Sequence, residues 1–251
     1  MKLNAFKTTL QEIQTFRALF LQETNFQIRY NACHERGWSD TYLVTCNDIA
    51  IGYCSIKGKN NLTDRDSVFE FYVIHPYRKF LEIIFSELLL VSGATFIECQ
   101  SNDFLLSSLL YEFSQNINAD VILFQDHVVT EYINPGVIFR LRDKEDNVFE
   151  HKMEPMGNYI LELNKKIIAT GGFMLYYNMP FADLYMEVED EYRRQGFGTF
   201  LLQELKKECY LAGRVSAARC DIQNKASRAT IIKAGLKVVG YMLTGDIKKI
   251  Q

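Results

Sequence analysis

Only four prolines, one tryptophan and four histidines occur in 251 residues. With so little proline and 48% hydrophobic residues, proline-rich, mucin-like and disordered chains are excluded, because enough apolar material is present to offset chain entropy. No CxxC pair occurs among Cys33, Cys46, Cys54, Cys99, Cys209 and Cys220, and His34, His75, His127 and His151 have no histidine four residues away. A metal site is therefore not expected, and the cysteines read as reduced, buried thiols of a cytoplasmic protein. A basic excess is also missing: 28 Lys and Arg stand against 31 Asp and Glu, for a net charge of −3. That balance argues against a constitutive partner of nucleic acid or of an anionic membrane. The most apolar stretch, EIIFSELLLVSGATFI, is interrupted by Glu82 and Glu87. It falls short of the roughly 18 apolar residues a membrane span needs, and the opening MKLNAFKTTLQEIQTF lacks the apolar core of a signal peptide.

What is present reads as an α/β chain with a mixed, α+β-type sheet. Residues 158–179 hold two apolar runs, YILEL and IIATGGFMLYY, on either side of Asn164-Lys165-Lys166, as in a β-hairpin. Residues 181–189 form the next strand, with Asp183, Tyr185, Glu187 and Glu189 expected on its outward face. After the loop RRQGFGT, Phe200, Leu201, Leu205, Cys209 and Ala212 recur at helical spacing until Gly213. A strand over 216–222, a helix from Asn224 to Gly235 and the closing strand LKVVGYML complete the order.

The first half repeats this grammar. A hairpin turns at Asn47-Asp48, a strand covers 67–73, HPYRKF leads into the helix LEIIFSELLLV, and a strand and the helix FLLSSLLYEF follow. Val73-x-x-x-Tyr77-Arg78 reappears as Val188-x-x-x-Tyr192-Arg193, 115 residues on (188 − 73). The chain therefore reads as a duplication, with domains 1–127 and 128–251 divided near His127 and Pro135. In the opening helix, Phe16, Leu19 and Phe20 read as a core stripe.

Arg193-Arg194-Gln195-Gly196-Phe197-Gly198-Thr199 joins a strand directly to a helix. Glycines at the first and third places of Gly196-Phe197-Gly198 let the backbone turn tightly, so that its N–H groups and the positive helix end can cradle an anion such as a pyrophosphate. Arg193 and Arg194 could add charge-assisted contacts. Taken alone, two glycines fit a solvated helix start with surface arginines better than an anion cradle. The loop is not a Walker loop, since no Gly-Lys-Ser/Thr follows, and a dinucleotide fingerprint would need a third glycine.

The run from DLYMEVEDEYRRQGFGTFLLQEL to NKASRATIIKAGLKVVGYML resembles the GNAT superfamily of N-acetyltransferases. Arg193 to Gly198 fit its R/Q-x-x-G-x-G/A signature, while Asn224, Ser227, Lys233 and Gly235 fit its N-x-x-S…K-x-G-F segment with Leu236 in the phenylalanine place. The match runs over about residues 158–243. The first half has Phe80-Leu81-Glu82-Ile83 where the glycine loop would stand, so the resemblance implies two tandem GNAT-like domains, the first a degenerate copy. It further implies acetyl-CoA as cosubstrate. The backbone of Arg194, Gln195, Gly196, Phe197, Gly198 and Thr199 would hold the pyrophosphate, with Arg193 beside them. The backbone of Met186 and Val188 would hold the pantetheine arm and the thioester carbonyl, and Asn224 and Ser227 would line the other side. Taken singly, Val188 is a core strand residue, Asn224 a helix cap and Ser227 a surface helix residue.

Acetyl transfer requires a neutral amine, and a lysine-like amine with a pKa near 10.4 is mostly charged at neutral pH, so a base would help. Glu187 is the candidate base, with Asp183 behind it and His151 and Glu154 as alternatives, and the Val188 N–H is the candidate oxyanion donor. A solvated strand face is the plainer account of Glu187 and Glu189. Ile231 stands where many family members carry a tyrosine acid; Tyr185 and Tyr241 are substitutes to weigh. The expected activity is acetyl transfer to a primary amine of a small molecule or peptide, with a homodimer as a candidate assembly. The alternative is a non-catalytic acyl-CoA-binding module.

Overall fold

The computed structural model describes residues 2–23 and 25–248. It divides into two compact units. One comprises the stretch up to Phe26, Tyr30–Asp120 and the stretch from Gly240; the other comprises Gln27–Arg29 and Val121–Val239.

The first unit runs β1 (Leu3–Thr8), α1 (Leu10–Glu23), α2 (Asn31–Glu35), β2 (Ser39–Cys46), β3 (Ile49–Lys57), β4 (Ser67–Val73), α3 (Leu81–Ser92), β5 (Phe96–Gln100) and α4 (Phe104–Phe113). Strands β1 to β4 pair antiparallel in sequence order, and β4 then pairs parallel with β5. Asn47 and Asp48 both take positive φ, the left-handed pair a two-residue hairpin turn needs. Every residue of β4 is buried, because both faces are covered. Val68, Phe71 and Val73 pack with Ile84, Phe85 and Leu88 of α3, and Tyr72 packs with Ile13 and Phe20 of α1. The stripe of α1 differs from the expectation: Ile13 and Phe20 are buried with Phe16 packed against them, while Leu19 is 38% exposed. Residues 13, 16 and 20 share one face at helical spacing, and position 19 falls beside it.

The chain passes into the second unit within β6 (Ser114–Asp126) and leaves it within the closing strand. Between lie β7 (Val137–Leu141), β8 (Tyr159–Leu163), β9 (Lys166–Met174), β10 (Phe181–Val188), α5 (Phe197–Leu211), β11 (Val215–Asp221) and α6 (Lys225–Lys233), followed by β12 (Leu236–Ile247). Within this unit the order is β6-β11-β10-β9-β8-β7. The later part of β12 belongs to the first unit, where Met242 to Asp246 pair antiparallel with β5. Buried Leu201, Leu202, Leu205 and Cys209 are the apolar stripe of α5, which packs on β9, β10 and β11.

The mixed α/β class is as expected from the sequence. The edge strands β1 and β7 are additions to the elements expected from the sequence. All six cysteines are buried free thiols, and burial pushes Cys33 and Cys209 up to about 11. Among the described residues no helix is long and apolar enough to cross a membrane, and no group of three His, Cys, Asp or Glu is placed to hold a metal.

Candidate cofactor and active site

The site is built where two parallel strands part. Strands β10 and β11 pair only from Phe181↔Val215 to Leu184↔Ala218. Strand β11 is held along its other edge by β6, from Ala217 to Asp221, while β10 is held along its other edge by β9 as far as Val188↔Ala169. A fork results, closed at Leu184 and open toward Val188. The Glu189 N–H donates to the Ile168 carbonyl at 2.9 Å, which fixes the alternation of the ladder. Glu187 and Tyr185 aim their backbone groups at β9, whereas Met186 and Val188 aim theirs into the fork.

The glycine loop closes over the open end. Arg194 and Gly196 both have positive φ, +63° and +90°, so the chain enters α5 through left-handed turns. The first intrahelical bond runs from the Phe200 N–H to the Gly196 carbonyl at 3.0 Å. No side chain caps this helix, in contrast to α4, capped by Asp103, and α6, capped by Asn224. The N–H groups of Phe197, Gly198 and Thr199 therefore lack intrahelical partners at the positive end of a 15-residue helix. The two glycines serve different purposes. Gly196 has open space around it and is required by its φ, whereas a Cβ on Gly198 would lie 3.1 Å from Met186 Cε and 3.2 Å from Thr230 Cγ2. Gly198 thus sits between the two tines of the fork, Met186 on β10 and Thr230 beyond β11 on α6.

The other expected site residues have mixed engagements. The Arg193 guanidinium turns back on its own strand: Nε donates to the Val188 carbonyl at 3.1 Å and Nη2 pairs with Asp190 at 2.9 Å. Gln195 donates to the Glu191 carbonyl at 3.1 Å. Asn224 Oδ1 accepts the Ser227 N–H at 3.0 Å as the cap of α6. Ile231 is buried, 4% exposed.

The outward strand face expected for Asp183 and Glu187 is corrected: both are buried, 4% and 6% exposed. A strap over residues 152–154 lies on β10, and the Glu187 carboxylate accepts its backbone N–H groups from Lys152 at 3.0 Å, Met153 at 3.1 Å and Glu154 at 3.0 Å. Burial opposes ionisation of Glu187, but these three donors hold it below the ordinary carboxylate value. Lys152 also pairs with Asp190. Nearby, His151 Nε2 meets Thr170 Oγ1 at 3.0 Å. A cleft of about 210 Å³ opens here, lined by Phe149, Glu150, Lys152 and Glu187 through Glu191. Asp183 is different. Its Oδ2 accepts from Arg219 Nε at 3.2 Å, and burial pushes it up to about 6.

The first unit repeats the fork without the loop. Strand β4 pairs with β5 only at Ser67 and Val68, and Arg78 Nε donates to the Val73 carbonyl at 2.8 Å just as Arg193 does to Val188. A 3-10 turn over His75–Phe80 then runs straight into α3, with no glycine between them.

Family comparison agrees with this doubled geometry. Residues 9–127 match the model of an acetyltransferase (GNAT) domain, and residues 125–235 match that of the acetyltransferase (GNAT) family. The chain is a GNAT-family protein with two such domains in tandem. Solved structures similar to this GNAT chain include a GNAT-family acetyltransferase from Colwellia psychrerythraea, with 15% identity, a TM-score of 0.74, and 99% of this chain and 100% of that one covered. A GCN5-related N-acetyltransferase from Sphaerobacter thermophilus has 14% identity and a TM-score of 0.58, covering 99% and 97%. A tandem GNAT protein from the clavulanic acid biosynthesis pathway has 10% identity and a TM-score of 0.56, covering 100% of both chains. At these identities the likeness shows the fold. No curated protein sequence matches the chain. Membership implies acyl transfer from an acyl-CoA, and the glycine loop, Asn224 and Ser227 all lie inside the second matched segment.

Proposed function

We propose that the protein is a cytoplasmic N-acetyltransferase that moves the acetyl group of acetyl-CoA to a primary amine. The observation that carries this reading is the uncapped, glycine-led N-terminus of α5 closing the mouth of the β10–β11 fork. The backbone N–H groups from Arg194 to Thr199 would hold the pyrophosphate, where three of them lack intrahelical partners and Gly198 leaves room for close approach. Met186 and Val188 would pair with the pantetheine arm through backbone groups that face the fork, and the Val188 N–H would meet the developing oxyanion. Asn224 would contribute through Nδ2, since its Oδ1 caps α6, and Ser227 lies one turn on. The division of labour follows the two copies: residues 128–251 bind the cosubstrate, while residues 1–127 lack the loop.

Titration calorimetry with acetyl-CoA tests the site. Wild type should bind in the micromolar range, and Gly196→Asp and Gly198→Asp should abolish binding while the fold persists. No binding to the folded wild type overturns the reading. The second reading, a non-catalytic acyl-CoA-binding module, is favoured by one observation: buried Ile231 supplies no phenol to protonate the leaving thiolate. Acetyl-CoA binding without thiol release on any primary amine would decide for it.

A further inference from the structure

The strap over residues 152–154 brings a lysine of this chain to the open end of the fork. Glu187 fixes the base of that side chain, because its Oε1 accepts the Lys152 backbone N–H at 3.0 Å. Asp190 fixes the far end, where its Oδ2 pairs with Lys152 Nζ. The same carboxylate holds Arg193 Nη2 through Oδ1 at 2.9 Å, and Arg193 Nε donates to the Val188 carbonyl at 3.1 Å. A chain of three contacts thereby ties the Lys152 ammonium to the Val188 backbone. Both residues line the cleft of about 210 Å³. Among the described residues that line it, Lys152 alone carries an amine, set against the carboxylates of Glu150, Glu187 and Glu189 through Glu191.

Lys166 offers the contrast. It reaches Glu189 at 3.1 Å and Glu191 at 3.4 Å from the start of β9, and it lines a neighbouring cleft of about 360 Å³ whose walls do not include Val188. Lys152 stands on the side of Val188. Its side chain is 61% exposed, so the flexible four-carbon stem can swing toward Val188 once the pair with Asp190 opens.

We propose that Lys152 is a site of self-acetylation; this rests on the transferase reading above. The Lys152 ammonium gives one proton to water, and the neutral Nζ forms a C–N bond to the carbonyl carbon of the acetyl thioester lying along Val188. Collapse of the tetrahedral species breaks the C–S bond, and a second nitrogen proton leaves with the CoA thiolate as thiol. The charged groups facing Nζ are Asp190 and Arg193 after β10, with Glu150 two residues before the lysine. The bond to Asp190 is the largest influence and holds the ammonium above the ordinary lysine value. The neutral form is therefore scarce at neutral pH, and the modification is slow there and quickens with alkali. Acetylation turns Nζ into a neutral amide and cancels the ion pair with Asp190. The cleft then keeps its carboxylates and loses its lysine charge, so a cationic acceptor is drawn in more strongly.

The test incubates the full-length protein with acetyl-CoA alone and reads acetyl-lysine by intact mass and by peptide mass spectrometry. Thiol release with spermidine and tyramine is measured beside it. Wild type should gain an acetyl group at Lys152, at a rate per molecule that does not change with protein concentration, while Lys166 stays unmodified. That rate should rise about tenfold per pH unit near neutrality, and Gly198→Asp should lose the modification. Without acetyl-CoA, calorimetry should show spermidine binding Lys152→Gln about threefold or more tighter than wild type, a difference that high salt erases. Equal acetylation of Lys152 in wild type and Gly198→Asp, transfer from wild type to a Gly198→Asp chain, or turnover of the free amines with Lys152 unmodified overturns the assignment. Spermidine that binds Lys152→Gln no tighter overturns the consequence for the cleft. A wild type that binds acetyl-CoA and acetylates neither Lys152 nor the free amines overturns the transferase reading instead.

Discussion

Arg193 donates through Nε to the carbonyl of Val188, five residues back, at 3.1 Å. The bond folds the strand end over the start of the glycine loop and engages the guanidinium with its own backbone. Arg193 thus braces the start of the loop. Arg193→Ala should lower the melting temperature by a few degrees, in keeping with about 1 to 2 kcal/mol for a charge-assisted hydrogen bond. Acetyl-CoA affinity should fall far less than in Gly198→Asp. Thermal denaturation and calorimetry on the same preparations separate the two effects.

The glycines of the loop should respond differently to alanine. Gly196→Ala places a Cβ at φ +90° in open space, so it should destabilise by about 1 kcal/mol or more without obstructing the site. In Gly198→Ala the new methyl meets Met186 Cε and Thr230 Cγ2, both able to give by a few tenths of an ångström. Stability should change little, and acetyl-CoA affinity should drop because the mouth of the fork narrows. Denaturant midpoints and binding constants give the two orderings.

Glu70, 0% exposed, accepts from Arg17 Nε and Nη2 at 2.9 Å each, meets His34 Nε2 at 3.0 Å, and accepts from Tyr53 at 3.0 Å. Burial opposes its charge, but Arg17 and His34 hold it well below its ordinary value of 4.5. A depressed folded value means the stabilisation is complete above 4.5 and is lost as pH falls below it. Arg17→Ala should cost about 3 to 5 kcal/mol, since it leaves a buried carboxylate unpaired. Urea unfolding from pH 7 to pH 3 should show wild-type stability falling with acid, and this dependence should be reduced in Glu70→Gln.

Glu187→Gln should loosen the strap, because a neutral amide offers one weaker acceptor to three backbone donors. Hydrogen exchange at Lys152, Met153 and Glu154 should quicken by about tenfold, as expected for losing roughly 1.4 kcal/mol of local stability. Exchange within α5 should stay unchanged. Unaltered exchange in 152–154 would mean that the strap is held by other contacts.

The hairpins at Asn47-Asp48 and Asn164-Lys165 were legible because residues tolerant of positive φ announce such turns locally. The helix α5 was legible from the recurrence of Leu201, Leu205 and Cys209, and the loop from Gly196 and Gly198. The environment of β10 was not. Charge at alternate positions suggests a wet face, yet Glu187 is satisfied by backbone N–H groups more than thirty residues earlier, and no side-chain identity encodes such donors. The Arg17–Glu70 pair, 53 residues apart, is hidden for the same reason. Strands β1 and β7 are short edge pieces with two exposed residues each; β1 lacks the apolar run that marks an inner strand, and the apolar VIFRL of β7 is only five residues long. The parting of β10 from β11 is a matter of register, which a single chain of letters does not display.

The passage of the chain between its two units within β6 and β12 has a consequence for biosynthesis. Strand β5 finds its outer neighbour only in Met242 to Asp246, so the first unit to emerge from the ribosome waits with an unpaired edge until the whole second unit has been translated. A gene cut at the midpoint would not yield two self-sufficient halves: the amino-terminal fragment would lack a strand, and the carboxy-terminal one would carry that strand with no sheet to join.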